Sequence, residues 1–168
     1  MISRRLFSTV YQVTALSVFK NSCYHKIDFK IGEENSVRKA VQMFATFNIG
    51  CLAVTDAHNS VVGVLSERDY INKIASLDKD PTTVRIKDIC TYTPNIIIAK
   101  KNDTLEQCMN KMLIKDIRHL LVIDESNNEL MGMISIKDLI KEIMRDKNNT
   151  ITRLTDFKTG KGGYFGSE

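Results

Sequence analysis

Gly63-Val64-Leu65-Ser66-Glu67-Arg68-Asp69 and Gly132-Met133-Ile134-Ser135-Ile136-Lys137-Asp138 are one phrase written twice. Each runs from a glycine through two apolar residues to Ser-x-x-Asp. The two glycines lie 69 residues apart, and Asp56 and Asp124, just upstream, lie 68 apart. The one-residue difference places an insertion in the turn between those anchors. A period of this length marks a tandem supersecondary unit.

Upstream the match continues. Leu52-Ala53-Val54-Thr55-Asp56 aligns with Leu120-Leu121-Val122-Ile123-Asp124, and Ile49 with Ile117. Val37, Ala40, Val41 and Phe44 align with Leu105, Cys108, Met109 and Met112, apolar residues at helical spacing. Ser36 and Asp103 or Thr104 suit the helix starts. Each copy therefore reads as helix, strand (51 to 55; 119 to 123), polar turn, strand (61 to 65; 130 to 134) and second helix from Ser66 or Ser135. Residues 83–86 and 95–98 read as linking strands. The fold class is α/β (α+β), each copy a small sheet with two helices. A unit near 60 residues is marginal alone. Two units packed sheet to sheet form one intramolecular pair with pseudo-two-fold symmetry and two related clefts.

The chain of 168 residues carries a net charge of +4. Residues 1–26 hold Arg4, Arg5, Lys20 and Lys26 and no acid, while beyond them 20 basic residues balance 20 acidic ones. A neutral body is no nucleic-acid binder, and no run nears the ~20 apolar residues of a membrane span. The basic, Ser/Thr-rich start, with Leu6, Val10 and Val13 on one side of a helix, reads as a mitochondrial transit peptide, removed over roughly 20 to 30 residues. The expected organisation is 1–26 leader, 27–80 first motif, 81–146 second motif and 147–168 flexible tail.

No phosphate loop, dinucleotide fingerprint or zinc-protease motif is present, so no catalytic residue and no metal site is assigned. The four cysteines form no C-x-x-C pair. Cys51 and Cys108 read as core, and Cys90, near a loop, as the thiol to watch. Ser-x-x-Asp itself has two readings. It resembles a capping box that starts the last helix of each copy, and its carboxylate and hydroxyl also suit a ribose beside a phosphate.

The repeated G-h-h-S-x-x-D, the LAV and LLV strands, Ser66-Glu67-Arg68-Asp69-Tyr70 and Arg118-His119-Leu120 resemble the CBS motifs of stand-alone CBS-pair proteins, over about residues 27–146. The chain departs from that pattern at Leu121, Cys90 and Asn72, where Pro, Met and a basic residue are common. The resemblance implies a regulatory module without enzymatic activity and with no required cofactor. Its ligand would be an adenine nucleotide: AMP, or else ADP, ATP, NADH or S-adenosylmethionine. By resemblance Asp69 and Asp138 accept the ribose, Ser66 and Ser135 stand beside them, and Arg118, His119 and Lys73 face phosphates. It also implies a homodimer joined through helices. The leader and the Gly-rich tail around Tyr164 resemble plant mitochondrial members associated with thioredoxin control. A matrix partner follows, either thioredoxin or a respiratory-type complex. The alternative is an accessory subunit of a mitochondrial complex with no small ligand, docked through the tail.

Overall fold

The repeated phrase closes two hairpins of matching register. The computed structural model describes residues 13–127 and 129–158. In chain order they form α1 (Ala15–Lys20), β1 (Lys30–Gly32), α2 (Val37–Phe47), β2 (Cys51–Thr55), β3 (Val61–Ser66) and α3 (Glu67–Lys73). There follow β4 (Thr91–Tyr92), β5 (Ile98–Lys100), α4 (Leu105–Ile114), β6 (His119–Asp124), β7 (Glu129–Ser135) and α5 (Ile136–Lys158). One sheet has the order β1-β2-β3-β4 and the other β5-β6-β7. In each, a short parallel strand flanks an antiparallel hairpin. Val54 pairs with Gly63 and Val122 with Gly132, and the register slips at the next pair in both copies. The extra residue of the second copy therefore lies in the turn, as expected.

The helices follow from their apolar spacing. Val37, Ala40 and Phe44 of α2, and Cys108 and Met112 of α4, are buried. β2 is buried at every position, because both of its faces are covered. Thr104 caps α4 through a capping box, whereas Ser36 starts α2 with no side-chain cap bond. Residues from both sheets join one hydrophobic cluster. Cys51 and Cys108 are in it, as their core reading anticipates, and Cys90 is half-buried.

What locks the copies together is an exchange of leading segments. The stretch before the second copy packs on the first: Arg85 bridges Ser36, Val37 N–H donates to Val84 O at 3.0 Å, and β4 pairs with β3. The stretch before the first copy packs on the second: Thr14 bridges Thr104, and Leu105 N–H donates to Val13 O at 3.1 Å. The glycines at the head of each phrase admit these segments. A Cβ on Gly63 would sit 2.9 Å from Thr91 O, and one on Gly132 would overlap the Phe19 ring, 2.3 Å from its nearest carbon.

Three expectations change. Residues 13–26, read as leader, are part of the second lobe, with Ala15, Val18, Phe19, Ser22 and Tyr24 buried. Their lack of acids accompanies an apolar packing face. Residues 1–12, including Arg4, Arg5, Leu6 and Val10, lie outside the described residues. The tail is not flexible from residue 147, since α5 runs unbroken to Lys158; the Gly-rich end and Tyr164 lie outside the described residues. Residues 83–86 form an isolated bridge and the start of a 3₁₀ turn (Ile86–Asp88), and the link strand begins at Ile98 instead of Asn95. Urea unfolding tests the exchange. Gly132→Ala overpacks the Phe19 contact and lowers stability by about 1–3 kcal/mol. An unchanged midpoint would show that the contact with α1 does not hold the lobe.

Candidate functional site

Each Ser-x-x-Asp forms its capping box. Ser66 Oγ donates to Asp69 Oδ2 at 2.6 Å, and Ser66 N–H donates to the same oxygen at 2.9 Å. Ser135 and Asp138 repeat both bonds at 2.6 and 2.9 Å. The cap fixes each carboxylate in the lining of a cleft between the lobes.

The first cleft is a cavity of about 230 Å³. Ser66, Arg68 and Asp69 of the first copy face Asp116, Arg118 and His119 of the second. Its apolar walls are Cys51 and Val64 on one sheet, Leu121 and Met133 on the other, and Ile96 and Ile97 from the link. Thr91 and Asn95 complete the rim. Flat apolar walls with a few convergent polar groups suit an aromatic base attached to a polar sugar. Arg68 donates to Asp116 Oδ2 at 3.0 Å and to Asp116 O at 3.1 Å, which ties the two lobes at the opening. Both side chains are exposed, so this pair contributes little to stability.

Lys73 stands apart from the lining. Its Nζ donates to Asp69 Oδ1 at 2.8 Å and to Ile89 O at 2.5 Å, so it holds the carboxylate in place and is already engaged. His119 also differs from its expected role as a positive donor. Burial, and secondarily the Arg118 charge, depress its pKa to about 4 against the attraction of Asp138. It is a neutral donor near pH 7. Burial pushes the Cys51 thiol up to about 12, so it lines the cleft as an unreactive apolar group.

The second cleft brings Ser135 and Asp138 together with Arg118 and His119, which line both clefts. It holds about 280 Å³. Here the N-terminal arm enters: Ser22 Oγ donates to Asp138 Oδ2 at 2.9 Å and Asn21 Nδ2 to Glu142 Oε1 at 2.9 Å. The Tyr24 ring meets His119 edge-on at 6.0 Å and Phe29 at 5.7 Å. Ser22, Tyr24, Arg68, Asp116 and residues 95–97 were not assigned to the site from the sequence, although Arg68 lies in the repeated phrase and 95–98 reads as a link strand. The turn residues carry no motif, and the arm was assigned to a leader. A signal was present in Val13-Thr14-Ala15-Leu16-Ser17-Val18, where Val13, Ala15 and Val18 have the spacing of Val84, Ile86 and Ile89.

The family model for the CBS domain matches residues 26–76 and 86–145. The mitochondrial CBS domain-containing protein CBSX3 of Arabidopsis thaliana is 26% identical over 133 residues, 78% of this chain and 63% of that one. A putative signal-transduction protein with CBS domains from Burkholderia ambifaria superposes with a TM-score of 0.72 at 26% identity, covering 80% of this chain and 96% of that one. A CBS domain protein from Pyrobaculum aerophilum complexed with AMP superposes at 0.58 with 27% identity, covering 65% and 80%. The chain spans about three fifths of the length of the Arabidopsis relative.

The pKa of His119 sets a pH dependence. The unfolded imidazole takes a proton near pH 6.5, and the folded one does so only near 4. Stability is therefore full above pH 6.5 and falls as pH drops toward 4, by about 2 kcal/mol at pH 5. Urea titrations at about pH 7.5 and 5 should show this loss in the wild type and much less of it in His119→Gln. Equal losses in both would assign the effect elsewhere.

Proposed function

The chain belongs to the CBS-domain family, and on that premise we propose that it is a regulatory module, not an enzyme, that takes an AMP-like adenine nucleotide in its first cleft and thereby modulates a mitochondrial partner protein. The observation that carries this reading is the pairing of the Ser66–Asp69 carboxylate with a cavity walled by apolar residues of both sheets. Asp69 would accept the ribose hydroxyls, Ile96, Ile97 and Leu121 would enclose the base, and Arg118 with Arg68 would meet the phosphate. Engaging Arg68 would compete with its bond to Asp116, and this gives the ligand a way to shift the two lobes relative to each other. The AMP-bound Pyrobaculum relative supports the ligand class, and the Arabidopsis relative supports the compartment. Residues 1–12 are then the removable leader, and the N-terminus of the mature endogenous chain tests this: a start at Met1, or one beyond Val13, would refute it.

The helical face supports self-association. Ile71, Leu113, Ile114, Ile140, Ile143 and Met144 are exposed on α3, α4 and α5. An apolar area of this kind marks an interaction surface, and a two-fold dimer is the usual outcome. Light scattering on the full chain should read twice the chain mass; a single-chain mass would refute the dimer.

Thermal unfolding with AMP tests the ligand. At about 100 times its Kd, AMP should stabilise the chain by about 2.7 kcal/mol. Asp69→Asn keeps an acceptor for Ser66 N–H and should weaken binding about tenfold or more. If AMP, ADP, ATP, NADH and S-adenosylmethionine all leave the midpoint unmoved, the accessory-subunit reading prevails.

A further inference from the structure

The two clefts are built alike but walled differently: apolar strand residues of both sheets line the first, whereas the strands give the second only His119 and Ser135. Phe19 occupies at Gly132 the place that Cys90 and Thr91 occupy at Gly63. From that point to the first residue of the flanking parallel strand, the chain advances eleven residues in one copy (Phe19 to Lys30) and eight in the other (Cys90 to Ile98). The three additional residues are taken up in a 3₁₀ turn (Cys23–Lys26) capped by Ser22. That turn seats Tyr24, 2% exposed, in the wall of the second cleft, and the space of about 280 Å³ left beside it is lined by Ser135, Lys137, Asp138 and Lys141. The shorter stretch of the other copy contributes Asn95, Ile96 and Ile97 and leaves its cavity open.

The polar contacts point the same way. Asp138 Oδ2 takes the Ser135 hydroxyl and N–H, as Asp69 takes those of Ser66. Its further donor is an aliphatic hydroxyl, that of Ser22, where the further donor of Asp69 is the ammonium of Lys73 on Oδ1. An aliphatic hydroxyl on this carboxylate, with an aromatic ring two residues on between His119 and Phe29, has the donor and ring pattern of a nucleoside. The Tyr24 hydroxyl is fully buried and meets only the backbone of Gly50 and Cys51, in no well-formed hydrogen bond. A permanently packed position would pair that group or dispense with it. Left unpaired, it makes the seat of the ring less stable than a phenylalanine would.

We propose that Ser22 and Tyr24 form an internal ligand that takes the nucleoside seat of the second cleft, between Asp138 and His119, so that the chain takes one adenine nucleotide and exposes a second site of the same chemistry only when the N-terminal arm lifts. This rests on reading the first cleft as a nucleotide site. The arm is the segment that also closes the second lobe, so occupancy of the second site is coupled to loosening of that lobe.

Calorimetric titration of the full chain with AMP tests it, with folding checked by circular dichroism. The wild type should bind one AMP per chain, and Asp69→Asn should weaken it. Ser22→Ala/Tyr24→Ala should bind two, the second sensitive to Asp138→Asn. Tyr24→Phe should stay at one, with a raised melting temperature. Two per wild-type chain, or one in the double variant, overturns the proposal while leaving the nucleotide reading intact. None in the wild type with one Asp138-dependent site in the double variant upholds the proposal and removes the reading of the first cleft. No binding in either overturns both. Where the double variant does not fold, hydrogen exchange on the wild type decides: saturating AMP should slow amides at 66–69 and 96–97 and leave 22–24 unchanged. Faster exchange at 22–24 with slower exchange at 135–138 overturns it.

Discussion

Each lobe is completed by the chain segment that precedes the other lobe. This exchange is the constraint on which the remaining structure depends. A hairpin with one flanking strand leaves the face around Gly63 or Gly132 open, and the glycine allows another backbone or ring to close it at contact distance. Because the covering segments are exchanged, neither copy can be finished separately. The two copies share one hydrophobic cluster, and the clefts between them are fixed by the same bridges that join the segments to the helix starts at Ser36 and Thr104.

The exchange also explains why symmetry of sequence does not become symmetry of the clefts. The capping boxes are nearly superimposable in their distances, so each lobe offers a carboxylate in the same attitude. The covering segments carry no such repeat. One passes through Asn95, Ile96 and Ile97 and lines a cavity; the other folds a turn that brings Tyr24 and Ser22 inward. His119 and Arg118 stand where the clefts meet and face both. The low pKa of His119 keeps it neutral, so in the proposed complex cationic charge for a phosphate would come from the arginines.

The repeat, the strand pattern and the helix starts were readable because burial on one face imposes a period, and because Ser-x-x-Asp has a local job as a cap. Gly63 and Gly132, Val54 and Val122, and the turn insertion all fell into register. The covering segments were harder to read. They lack regular length, and Val13–Val18 shares only its apolar spacing with Val84–Ile89. Absence of acids in residues 1–26 suggested a leader, and the buried half of that stretch satisfies the same composition for a different reason. Lys73 looked like a phosphate donor by position, but its place at i+4 from Asp69 and its bond to Ile89 O are consequences of the chain path. Likewise the continuation of α5 past residue 147 has no apolar core face to announce it, since Ile151 and Leu154 are exposed.

The most direct test of the account is a crystal structure of the full chain grown with AMP. It predicts nucleotide density between Asp69 and Ile97, with Tyr24 still seated beside His119. Nucleotide beside Asp138 with Tyr24 in place, or an arm that does not pack on the second lobe at all, would contradict it.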